Sequence, residues 1–124
     1  MRLMLCAISC IISGCEPGVP DVPPGLLASR EAQAVGAVIF IANCAICHGA
    51  KADGQGQRRA AMTPPPANLS MPPWSEPAQA GRMFQAIRRG AAGTAMPSWP
   101  TLSDRQIWDV VAYIYALQAR SAHD

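Results

Sequence analysis

The sequence predicts an all-α domain built from three main helices and one long irregular loop. Three observations carry that expectation. Apolar residues recur at the helical period in three separate stretches. No stretch shows the alternation of a half-buried strand. A segment rich in proline and glycine, about residues 49–74, separates the first two helical stretches. The 124 residues fit a single small domain. Aromatics make up only 6%, so a core made of side chains alone would be thin. Small domains of this kind often gain stability from a disulfide, a metal or a cofactor.

The first fifteen residues, MRLMLCAISCIISGC, read as an address. Arg2 precedes an apolar run over residues 3–12. As a helix that run would rise about 15 Å, half a hydrocarbon core, so it suits a secretion signal better than a membrane span. Its end, Ile12-Ser13-Gly14-Cys15, resembles the bacterial lipobox. That resemblance implies cleavage after residue 14 and lipid on Cys15, with a plain secretory signal as the alternative. Residues 1–14 are then the signal. Residues 15–28, with four prolines between Glu16 and Gly25, form a lipid-anchored linker expected to be an extended stalk. The main domain covers residues 29–120 and a short tail covers 121–124.

Ser29 is placed to cap a first helix over about residues 30–45, with Val35, Val38, Ile39 and Ala42 at helical spacing. A second helix is expected over about residues 76–89, with Ser75 as cap, Pro77 in the first turn and Gly90 at the stop. Ser103-Asp104-Arg105-Gln106 is a capping box opening a third helix. Ile107, Val110, Val111, Ile114 and Leu117 make its apolar face. A loop as long as the one between the first two helices usually wraps something or carries function.

Charge offers little. The formal net charge is +2. Arg58, Arg59, Arg82, Arg88 and Arg89 lack interleaved aromatics, so a solvated surface is expected rather than a nucleic-acid groove.

The chemistry concentrates in Cys44-Ala45-Ile46-Cys47-His48. With Cys6, Cys10 and Cys15 assigned to the address, these are the two thiols left over. Structural zinc wants about four ligands, and His123 is the only other histidine. A thioredoxin-like dithiol follows a strand, not a helix, and an iron–sulfur cluster usually takes four cysteines. A Cys44–Cys47 disulfide is a further alternative. Covalent haem attachment accounts for the spacing directly: C-x-x-C-H lets two thiols reach neighbouring vinyl groups of one ring and holds the following imidazole under the iron.

From these residues the chain resembles a bacterial class I cytochrome c over about residues 34–117, which implies a small cytochrome c fold around one covalently bound haem c. Gly36, Phe40, Cys44 and His48 match the family's first-helix pattern. Thr94-Ala95-Met96-Pro97 matches the segment that supplies the sixth iron ligand, and residues 102–117 match the closing helix. The resemblance implies Cys44 and Cys47 as thioether residues, with His48 and Met96 as axial ligands. It implies that Tyr113 packs against Gly36 and Phe40. It also implies a proline carbonyl behind His48, with Pro64 the first candidate among Pro64, Pro65 and Pro66. Trp74 and Trp99 are expected to wall the pocket. Met83 lies at core spacing on a helix, whereas Met96 lies in a loop between Gly93 and Pro97.

The functional expectation is a single-electron carrier, not an enzyme by itself, on the periplasmic side of a bacterial membrane. Its partners would be membrane-bound or periplasmic redox proteins, and the lipid would hold it to the membrane. The cytochrome subunit of a dedicated oxidoreductase complex is the alternative, and a haem-based gas or redox sensor is a further one.

Overall fold

A computed structural model describes residues 18–123. The signal segment and Cys15 lie outside the described residues. Four helices follow in order: α1 (Arg30–Asn43), α2 (Ala45–His48), α3 (Ala80–Arg89) and α4 (Asp104–Ser121), with single 3-10 turns at Arg59–Ala61 and Pro77–Gln79. Among the described residues there is no strand.

Ser29 caps α1 as expected, its hydroxyl accepting from the Ala32 amide at 3.2 Å. The helix expected to run to about residue 45 stops at Asn43. Cys44 leaves the regular path with φ −107° and ψ −35°, and its amide still donates to the Phe40 carbonyl at 2.8 Å. The chain then makes the single turn of α2.

The third predicted helix starts where its capping box placed it. Both halves of its capping box form: the Ser103 hydroxyl accepts from the Gln106 amide at 3.1 Å, and the Gln106 side chain accepts from the Ser103 amide at 2.8 Å. The helix continues to Ser121, beyond the last residue of the apolar pattern. Gln118 in this extra turn is buried, and its amide donates to the carbonyls of Leu69 and Trp74. A polar residue that faces inward breaks the pattern on which a sequence reading relies.

The second helix differs at its start. Ser75 is not its cap. Glu76 is extended and a 3-10 turn at Pro77–Gln79 precedes α3, with no side-chain cap on either element. Proline has no amide hydrogen to satisfy and its fixed φ suits a first turn, so a side-chain acceptor there is less needed.

α1 and α4 cross at Gly36. A Cβ there would overlap the Asp109 carbonyl and lie 2.9 Å from the Val110 nitrogen. One turn along, the rings of Phe40 and Tyr113 sit 5.4 Å apart at 58°, a tilted arrangement favourable for aromatic pairs. Tyr113 thus meets Phe40, while Gly36 is met by α4 backbone. Phe40, Ile107, Val110, Val111 and Ile114 are fully buried around this crossing. α3 closes the core through Met83, Phe84 and Ile87, with the Phe84 and Trp108 rings 4.6 Å apart.

The proline-rich linker is not a free stalk from residue 18 onward. Gln85 donates from its side chain to the Gly18 carbonyl at 3.3 Å. Leu26 is buried, and Val22 and Leu27 pack on the core. On α3, Gly81 leaves room for this strap: a Cβ there would overlap the Pro20 carbonyl and the Val19 side chain. The prolines keep the segment out of helix, as their fixed φ and missing amide require, but apolar side chains and a bare helix position give it a surface to lie on.

Candidate haem site

The Cys44–His48 turn, the loop after it, α3 and the segment after α3 enclose one apolar cavity of about 350 Å³. This is within the range of cofactor pockets, roughly 300–1,000 Å³. Cys44, Cys47 and His48 line one part of its wall, and Met96 lines another. The floor is core: Phe40, Val110 and Ile114 reach it from the α1–α4 crossing.

The loop that precedes α3 holds the Cys-His turn by backbone hydrogen bonds. Gly54, Gly56 and Arg58 donate their amides to the carbonyls of His48, Cys47 and Ile46 at 2.8, 3.1 and 2.9 Å. Leu69 donates to Ala52 at 2.7 Å, and Gln118 secures the far end at Leu69 and Trp74. The unusual loop length is therefore used to wrap the cavity, as such loops tend to be.

His48 Nδ1 lies 3.1 Å from the Ala67 carbonyl. With a proton on Nδ1 to donate to that carbonyl, Nε2 is left as the lone-pair nitrogen. Burial holds the imidazole below its usual value of 6.5, partly opposed by the Ala67 hydrogen bond, so the ring is neutral at pH 7. This is the protonation state and support expected of a metal-binding histidine. The carbonyl belongs to Ala67, not Pro64. Pro64 lines the cavity instead. Three successive proline rings fix the path of the chain, and the first carbonyl able to meet the ring comes just after them.

Cys44 and Cys47 are both free thiols and partly buried. Burial, and then the neighbouring Cys47, push the Cys44 thiol up to about 11. A thiol–disulfide exchange site needs the opposite shift, toward thiolate. Among the described residues, no three histidine, cysteine or acidic side chains gather where they could hold a metal ion. The donor set at the cavity is two thiols, one neutral imidazole and the thioethers of Met62, Met83 and Met96, in apolar surroundings. This set fits a haem fixed by two thioether bonds and poorly fits a bare metal ion.

Trp74 lines the cavity as expected. Trp99 does not. Its amide donates to the Ile87 carbonyl at 3.0 Å and its side chain packs on the core outside the lining. That bond holds the backbone at Trp99 against α3. Met62 and Met83 line the cavity too, whereas Met71 is 58% exposed. Met62 follows a 3-10 turn with no apolar periodicity, so the only signal for it was its place in the wrapping loop.

An all-helical fold closed over an apolar cavity with a Cys-x-x-Cys-His turn at its wall defines a c-type cytochrome. The sequence matches the family described as cytochrome C oxidase, cbb3-type, subunit III over residues 31–114, and the chain belongs to that family. It is also 34% identical over 107 residues to the Cbb3-type cytochrome c oxidase subunit FixP of Azorhizobium caulinodans, covering 86% of this chain. The chain spans 31% of that relative's length. The protein is accordingly an electron carrier with covalently bound haem c.

Proposed function

We propose that this chain is the haem c subunit of a dedicated oxidoreductase complex, delivering single electrons to a membrane-bound partner. Cys44 and Cys47 would form the thioether links, and His48 and Met96 would be the axial ligands. The observation that carries this reading is that all four side chains line one apolar cavity, with His48 already oriented by Ala67. A bound haem would supply one-electron exchange between ferric and ferrous states. The protein's own part would be to hold the ring, exclude water with Phe40, Leu69 and Ile87, and fill both iron positions with His48 and Met96. Two occupied positions favour electron transfer over binding of oxygen, and a methionine raises the potential.

The family supports the subunit reading over a free-standing carrier, because its description and the FixP relative both name an oxidase. Cys15 would carry lipid and hold the domain on the periplasmic side of the membrane. Among the described residues no helix is long and apolar enough to cross a membrane. The decisive experiment is purification of the native protein from membranes under mild detergent. Haem-stained chain should comigrate with a larger oxidoreductase and be reduced or oxidised by it at catalytic rates. Migration as a lone small cytochrome would return the reading to a separate carrier. Intact mass tests the anchor in the same sample: a mature chain without acyl groups would remove Cys15 from the proposal.

A further inference from the structure

We propose that Arg88 is a positioning residue for Met96: its guanidinium clamps the stem of the loop that carries the methionine. This rests on the reading of Met96 as the sixth iron ligand.

Met96 sits on an irregular segment between Gly90, which ends α3, and Ser103, which caps α4. Bonds within the tip of this segment are local. The Ala91 amide meets the Met96 carbonyl at 3.3 Å, and the Thr94 hydroxyl donates to Ala91 at 2.7 Å and accepts from the Met96 amide at 3.1 Å. These bonds shape the tip but do not fasten it to the rest of the fold. Besides the packing of Trp99 and Leu102 on the core, the return stem is hydrogen-bonded to α3 at two residues. The Trp99 amide donates to the Ile87 carbonyl at 3.0 Å. The other contact is Arg88. Its Nη1 donates to the Trp99 and Leu102 carbonyls at 3.2 and 2.7 Å, and its Nη2 pairs with Asp104 at 2.5 Å.

One planar group thereby ties α3, the return stem and the first turn of α4. Only a guanidinium has enough fixed donors to serve three acceptors at once. The Arg88 side chain is 28% exposed and that of Asp104 77%. The Asp104 pair is therefore screened and weak, and the two backbone carbonyls carry most of the clamp. Releasing them loosens the stem, which then rests against α3 on the Trp99–Ile87 bond and side-chain packing alone. The loop then opens more often, and Met96 leaves the cavity wall with it. The residue touches neither the cavity nor the thiols, so covalent haem attachment does not depend on it.

The test uses the full haem-loaded protein and four variants. Carbon monoxide binding to ferrous protein reports how often Met96 is displaced, and ferric charge-transfer absorption reports the thioether–iron bond. Arg88→Met should raise the binding rate roughly tenfold, as expected for lost charge-assisted bonds at a partly exposed site. Its reduction potential should fall. Arg88→Lys keeps the charge without the fork and should lie between Arg88→Met and the unaltered protein. Should Arg88→Met fail to fold, Arg88→Lys decides alone, since its smaller rise must still exceed the control. The control is Ser29→Ala, which removes the α1 cap and destabilises the fold far from this loop. Rates for both Arg88 variants equal to that of Ser29→Ala would overturn the proposal. Met96→Ala tests the underlying reading separately. Retention of the thioether absorption in Met96→Ala would remove Met96 as ligand, and the proposal with it.

Discussion

Gly36 in α1 meets the backbone of α4 at Asp109, with no side chain between them. This contact sets the separation of the two helices that support the cavity floor. Gly36→Ala should improve local helix propensity by about 1 kcal/mol. It should lose more, because the added Cβ meets a carbonyl and an amide nitrogen rather than a flexible side chain. Overpacking of this kind typically costs about 1–3 kcal/mol, and two helix backbones that cannot yield place this site at or beyond the upper end. A lowered midpoint in thermal unfolding, with covalent haem retained, is the expected result. An unchanged or raised midpoint would show that the helices can separate freely.

The second prediction concerns the cavity as part of the core. Cys44→Ala combined with Cys47→Ala should prevent covalent attachment and leave the cavity of about 350 Å³ without its occupant. A group that binds only the native state contributes directly to its stability. The double variant should lose helical circular dichroism and become sensitive to protease. Cooperative melting at the original temperature would mean that the helices alone hold the fold.

Third, the three methionines of the cavity wall, Met62, Met83 and Met96, should behave differently. Met96→Ala should lower the reduction potential and let the ferrous protein bind carbon monoxide quickly. Met62→Ala should leave both properties near their original values. Met83→Leu, a buried and nearly volume-conserving change, should cost less than about 1.5 kcal/mol and leave the spectrum alone. An unaltered potential in Met96→Ala together with a lowered one in Met62→Ala would reassign the ligand to Met62.

A fourth prediction follows from Tyr115. Its hydroxyl donates to the Glu76 carbonyl at 2.6 Å. Burial, and then the Glu76 charge, raise its pKa above the usual 10. The folded protein therefore holds the phenolic proton more tightly than the unfolded chain does. The contribution is complete below pH 10 and is lost as pH rises through the higher folded value. Tyr115→Phe should flatten the alkaline part of the stability curve, measured by denaturant unfolding at several pH values above 9. An identical alkaline slope in the variant would assign the loss to other groups.

Much of the fold was legible because the relevant signals are local. Ser29, the Ser103–Gln106 box and the apolar face of residues 107–117 act within a few residues of themselves, so their sequence is enough to specify them. The same holds for the five-residue Cys-His motif. What sequence reading missed depends on partners distant along the chain. The linker was expected to stand free, yet Gly18 and Pro20 lie on Gln85 and Gly81, more than sixty residues away. Gln118 extends α4 because the carbonyls of Leu69 and Trp74 await it.

By itself, the sequence determined the helical class, the two strong caps and the thiol and imidazole chemistry, since each depends on residue type and short spacing. Only the tertiary structure decided that Ala67 rather than Pro64 supports His48, that Met62 joins the cavity, that Trp99 stays outside it and that Arg88 spans three segments. A backbone carbonyl has the same chemistry at every residue. Which one meets a given side chain is decided by the path of the folded chain, and no residue name records that path.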